Sequence, residues 1–97
     1  MNWIGFMNQR NDLFVRAPNA IFSEIDGEFV ALNIDRGQCY GMDSIASRIW
    51  NLIEVPRSLD QICTALEAEY NVDPVTCRAD VAAHLATLSN EGLIAIQ

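Results

Sequence analysis

The chain has no lysine and a single histidine, and its six basic residues are all arginine, set against thirteen acidic ones. Nucleic-acid affinity rests largely on Lys and Arg against phosphate, so a net charge of -7 argues against a nucleic-acid partner. Arg10, Arg16, Arg36, Arg48, Arg57 and Arg78 are spread along the chain, so a basic patch would form only where the fold gathers them. With His84 alone, a multi-histidine metal site within one chain is excluded. The five glycines form neither a GxGxxG nor a GxxxxGK run, so no phosphate-cradling loop is present. Cys39, Cys63 and Cys77 contain no CxxC pair, and an odd count reads as reduced thiols in a cytoplasmic setting. Long hydrophobic runs are also missing. The opening MNWIGFMNQR is apolar for only about seven residues and lacks the basic start and long apolar stretch of a secretory signal. No segment is long enough to span a bilayer, and no membrane partner is expected.

What remains is a globular composition. Hydrophobic residues are 51% of 97, enough for one domain with a single modest core. Residues 20–50 carry the clearest pattern, three short strand-like runs separated by tight turns and followed by a capped helix. Asp26-Gly27 is a two-residue hairpin signal, because both positions can take the positive φ of a type I′ turn. It pairs Ile25 with Glu28, Ser23 with Val30 and Ile21 with Leu32. Asp35-Arg36-Gly37 reads as a three-residue hairpin with Gly in the left-handed position, pairing Ile34 with Gln38, Leu32 with Tyr40 and Val30 with Met42. In these registers Ile21, Val30, Leu32, Ile34, Tyr40 and Met42 share one face, the expected core side. Phe22 and Phe29 fall on the other face, to be covered by an N-terminal segment, residues 1–19, in which Leu13-Phe14-Val15 has strand character.

Asp43 caps a helix with Ile45, Ile49, Leu52 and Ile53 on one stripe, ended by Pro56, and Trp50 is a core residue. Ser58-Leu59-Asp60-Gln61 is a capping box opening a second helix. Asp73-Pro74 opens a third, which carries Cys77, Val81, Leu85 and Leu88 and stops at Gly92. Leu93 to Ile96 closes the chain as a short apolar tail. The expected architecture is α+β: a three-stranded antiparallel meander followed by three helices in segregated layers.

No convergent set of acid, base, nucleophile and metal ligands is legible, so the expectation is a protein that is not an enzyme and needs no cofactor. The cysteines sit in strand and helix patterns, where small buried residues are common. One feature points to function. The third strand, Gln38 to Met42, has no sequence-adjacent strand on its far side, and an open edge on an acidic domain without catalytic groups suits peptide binding. Gln38, Cys39, Tyr40, Gly41 and Met42 are the residues of that edge. Its competing occupants are the chain's own N-terminal segment and a second copy, which would make a homodimer.

The stretches FVALNIDRGQCYGMDSIASRIWNLIE, SLDQICTALEAEYNVD and DVAAHLATLSNEGLI resemble the PqqD-like family of small winged-helix-type domains, also called RiPP recognition elements. The resemblance rests on the Tyr40-Gly41-Met42-Asp43 segment, the Ile49-Trp50 pair, the Tyr70-x-Val72-Asp73 turn and a last helix with Val81, Leu85, Leu88, Gly92 and Leu93. It covers roughly residues 20–95. It implies that the domain binds the leader of a ribosomally made precursor peptide as a fourth strand, in a groove walled by the last helix. Arg78, Val81, His84 and Leu85 are the groove-wall candidates that follow. A stand-alone chain of this kind looks most like the leader-binding protein of lasso-peptide biosynthesis, a class of antibiotic biosynthesis. There the leader is delivered to a separate protease and an ATP-dependent cyclase. The alternative is a peptide chaperone for a radical-SAM enzyme in cofactor synthesis. At position 84 the family usually has a bulky apolar residue. His84 here either fills core volume or hydrogen-bonds the leader and makes binding sensitive to pH.

Overall fold

In a computed structural model the described residues are 12–97, and they form two small antiparallel sheets and three helices. The order is β1 (Leu13–Arg16), β2 (Ala20–Ile25), β3 (Glu28–Asn33), β4 (Gln38–Gly41), α1 (Ser44–Leu52), β5 (Arg57–Ser58), α2 (Leu59–Glu69), α3 (Pro74–Asn90) and β6 (Ile94–Ile96). The α+β architecture is the expected one, with a second sheet added to the meander. The expected cover from residues 1–11 lies outside the described residues.

Local chemistry places most of the element ends. Asp26 and Gly27 take φ of 54° and 85°, and the hairpin they make pairs Ile21 with Leu32, Ser23 with Val30 and Ile25 with Glu28, as read from the sequence. Asp43 accepts from the Ala46 N–H at 2.8 Å, and Ser58 and Gln61 complete a reciprocal capping box. Asp73 caps α3, with Pro74 at its start. Each cap satisfies an orphan N–H and is worth about 0.5–2 kcal/mol.

The second hairpin corrects the expectation. Its turn is four residues, Ile34 to Gly37, with Gly37 at φ 67° and its N–H bonded to the Asn33 carbonyl at 2.8 Å. Asn33 therefore pairs with Gln38, Leu32 with Cys39, Ala31 with Tyr40 and Val30 with Gly41. One extra turn residue shifts the register by one, and a shift of one exchanges the faces of β4 relative to β3. The assignment of the core face is corrected with it. Phe29 and Ala31 are buried at 6% and 0% exposure, whereas Ile21 and Ile34 are 51% and 55% exposed. Tyr40, paired with Ala31, packs partly against the core, and Met42, one residue past the strand, is buried.

The apolar tail is also corrected. Ile94–Ile96 is a strand, β6, that pairs with β1, and β1 pairs in turn with β5 to give the order β5-β1-β6. Phe14 of β1 is wholly buried. Beside this sheet Arg16 stacks over the Phe22 ring at 4.4 Å and the Trp50 ring at 4.9 Å, and its Nε donates to the Trp50 carbonyl at 2.9 Å. Phe22 also meets Trp50 edge-on at 5.5 Å and Phe29 at 5.6 Å. The cover over Phe22 among the described residues is thus a cation and an indole.

Two polar side chains tie the meander to the helices. The Ser47 hydroxyl, buried in α1, accepts the Phe29 N–H at 2.9 Å and donates to the Met42 carbonyl at 3.2 Å, inserting itself at the end of the β3–β4 ladder. Buried Asn33 donates to the carbonyls of Glu91 and Gly92 at 3.2 and 2.9 Å and accepts from the Arg36 N–H. Gly92 holds φ of 70°, and a Cβ there would collide with the Asn33 amide. The β3–β4 turn is in this way anchored to the C-terminal end of α3.

Candidate peptide-binding edge

In an antiparallel ladder, hydrogen-bonded and non-bonded pairs alternate. The Met42 N–H donates to the Phe29 carbonyl at 2.9 Å, so Tyr40 and Gln38 are the residues whose amides face β3. Cys39 and Gly41 then present their N–H and C=O groups on the other side. The first hairpin agrees. Its two-residue turn makes Ile25–Glu28 a bonded pair, which commits Val30 and Leu32 to β2 and leaves Ala31 and Asn33 for β4. Among the described residues nothing pairs with that outer side, because β4 ends the sheet order β2-β3-β4.

The two ends of this edge are joined to helices. At its Gln38 end, Asn33 and Arg36 hold the turn against the last carbonyls of α3, Arg36 through its guanidinium to Asn90. At its other end α1 begins, and Ile45 joins Leu66, Tyr70 and Val72 of the α2–α3 region and Thr76, Cys77, Asp80 and Val81 of α3 around a pocket of about 150 Å³. No residue of β4 lines that pocket. Burial, then Asp43 and Glu91, raise the Tyr40 phenol above its ordinary value, so it stays protonated and available as a donor. Arg48 of α1 forks onto Glu69 at 2.8 and 2.9 Å near Tyr70, joining α1 to the end of α2.

The sequence-derived site residues divide into three groups. Gln38, Cys39, Tyr40 and Gly41 form the edge strand, while Met42 lies just past it with its N–H turned inward. Val81 and Leu85 are fully buried in the core, and Val81 also lines the pocket beside Ile45. His84 is half-buried, three residues after Val81 and seven before Glu91, on the flank of α3 that also carries Asp80. Arg78 lies elsewhere. It pairs with Asp60 of α2, on the opposite flank of α3, and the structure does not bring it to the β4 edge. Ile45, Tyr70, Val72, Asp80 and Glu91 were not named as site residues from the sequence, although the sequence shows Ile45, Tyr70 and Val72 as parts of a helix stripe and a turn. Their signal was faint, since no local pattern shows that the α2–α3 turn approaches α1.

The thiols behave differently from one another. Burial, with the neighbouring Cys77, pushes Cys63 up to about 12, and burial raises Cys77 as well. Both are protonated and inert at neutral pH. Cys39 is exposed on the edge strand, contrary to the expectation of a buried small residue. Iodoacetamide at pH 7.5 is expected to label one thiol per native chain, Cys39, with Cys63 and Cys77 reacting only after denaturation. Equal labelling of all three in the native state, followed by mass spectrometry, would contradict the packing of α2 on α3. Among the described residues no group of three His, Cys, Asp or Glu side chains is placed to hold a metal ion, and no helix is long and apolar enough to cross a membrane.

Comparison with known proteins gives the following. A family model described as coenzyme PQQ synthesis protein D (PqqD) matches residues 28–94. The structure of TbiB1 in complex with the TbiA(beta) leader peptide is 34% identical, with a TM-score of 0.78 over 82% of this chain and 93% of that one. Lasso peptide synthetase B1 complexed with the leader peptide is 22% identical, with a TM-score of 0.75 over 84% and 96% of the two chains. The PqqD truncation of Methylobacterium extorquens PqqCD, a stand-alone RiPP recognition element, is 19% identical, with a TM-score of 0.71 over 86% and 88%. At these lower identities the last two attest the fold. No curated protein sequence matches.

Proposed function

The chain belongs to the PqqD family of RiPP recognition elements, and on that premise we propose that it binds the leader segment of a ribosomally made precursor peptide. The leader adds to β4 as a further strand, in a trough that this reading places between β4 and α3. The observation that carries this reading is the outward-facing pair of backbone groups at Cys39 and Gly41, unpaired among the described residues. Main-chain bonds to that pair supply register and affinity, and side chains entering the trough supply sequence preference. In this reading His84 and Tyr40 are the polar side chains offered to the leader. The bound precursor is then delivered to a separate protease and an ATP-dependent cyclase, the domain acting as an adaptor and not as a catalyst. The relatives in leader-peptide complexes support this setting. The family description supports a second reading, a peptide chaperone for a radical-SAM enzyme.

Amide hydrogen exchange tests the binding mode. Synthetic peptides covering the short reading frames that flank this gene would be added one at a time. A binding peptide is expected to slow exchange at Cys39 and Gly41 and to leave Tyr40, already bonded to Ala31, nearly unchanged. Tight binding without protection at Cys39 and Gly41 overturns strand addition, and failure of every peptide to bind overturns leader recognition. Protection that grows with protein concentration in the absence of peptide would instead assign the edge to a second copy.

A further inference from the structure

Gly41 serves no need internal to the described chain. Its φ lies outside the left-handed region, and a Cβ built on it would meet nothing within 4 Å. A glycine inside a strand weakens it, and one that serves neither a turn nor a tight contact marks a place where another backbone or ligand approaches. Above Gly41, on the sheet face opposite the trough, lies an open cleft of about 510 Å³. Ile25 and Val30 give it an apolar floor, and Asp26, Glu28 and Asp43 stand around it with no arginine among the lining residues.

We propose that this cleft is a subsite for a Lys or Arg side chain of the bound peptide, at the residue paired with Gly41. The inference rests on the strand-addition reading and extends it to side-chain chemistry. Cross-strand partners project to the same face. Gly41 pairs with Val30, so the residue opposite Gly41 on an added strand projects toward Val30 and Ile25. Because Gly41 has no side chain, the newcomer must reach across two strand spacings, roughly 10 Å, to touch Val30. A long aliphatic stem does this, and a cationic tip places its charge among the three carboxylates while remaining hydrated. A short side chain leaves the floor bare. An acidic one meets charges of its own sign.

Random dodecapeptides displayed on phage would be panned against the full chain, keeping only those that lose binding to Cys39→Pro. The expected result is an excess of Lys and Arg at one aligned position, with a change to Leu there weakening binding about threefold, less in high salt. The triple variant Asp26→Asn, Glu28→Gln, Asp43→Asn is expected to bind the Lys and Leu peptides alike. Asn tolerates the left-handed backbone at position 26 and still caps α1 at position 43, so the fold is kept. Enriched peptides without a basic position, or a triple variant that keeps the Lys-over-Leu ratio, overturn the subsite and leave strand addition standing. If no enriched peptide is sensitive to Cys39→Pro, strand addition itself fails, and the subsite with it.

Discussion

Proline at Cys39 is expected to weaken peptide binding by tenfold or more while leaving the domain folded. The Cys39 N–H faces away from β3, so its removal costs the sheet no internal bond, and proline is tolerated on edge strands with the N–H side outward. The incoming strand loses one main-chain bond, about 0.5–1.5 kcal/mol net, and meets a pyrrolidine ring where its carbonyl should sit. Proline at Tyr40 does the reverse. It removes the bond to Ala31, which is fully buried, and leaves a carbonyl without a partner at a cost of about 1–3 kcal/mol. Fluorescence polarisation with a binding peptide, alongside circular dichroism, separates the two variants. Wild-type affinity in Cys39→Pro would end the strand-addition account.

The largest loss of stability is expected from Trp50→Ala. Trp50 is wholly buried, edge-on to Phe22, under the Arg16 guanidinium, and holds Arg16 Nε through its carbonyl. Truncating a buried aromatic of this kind costs about 3–5 kcal/mol through lost transfer energy and the cavity left behind. For a domain of this size that lowers the melting temperature by more than about 12 °C. Trp50 joins α1 to β1 and β2 and is no part of the β4 edge. The variant should therefore bind peptide normally below its melting point. A shift of only a few degrees in a thermal melt would mean that Arg16 and Phe22 close over the gap.

Local chemistry was legible wherever the deciding contacts lie within a few residues. The Asp26-Gly27 hairpin, the caps at Asp43, Ser58 and Asp73, and the stop at Gly92 all came from side chains acting on their own backbone. So did the position of the edge strand, because a meander followed directly by a capped helix leaves its last strand at the margin. The second hairpin was not legible to the same degree. Asp35-Arg36-Gly37 fits a three-residue turn as well as a four-residue one, and the choice between them decides which residues of β4 share a face with Phe29 and Ala31. Asn33 gave no warning either, since its partners Glu91 and Gly92 lie almost sixty positions away. Arg78 was a reasonable groove candidate on a helical wheel, yet Asp60 on a neighbouring helix claims it.

Taken by itself, the chain's composition and turn chemistry determined the fold class, the meander with the three helices that follow it, and the strand that stands open. These follow from short-range rules: a φ that only certain residues adopt, an orphan amide that needs a cap, a period of two or of 3.6. The tertiary structure alone decided which sheet face is buried, that the C-terminal segment pairs with β1, and that Arg78 pairs with Asp60 of α2. Those outcomes depend on loop length and on contacts between distant segments, where a single residue of register outweighs the hydrophobic pattern of a whole strand.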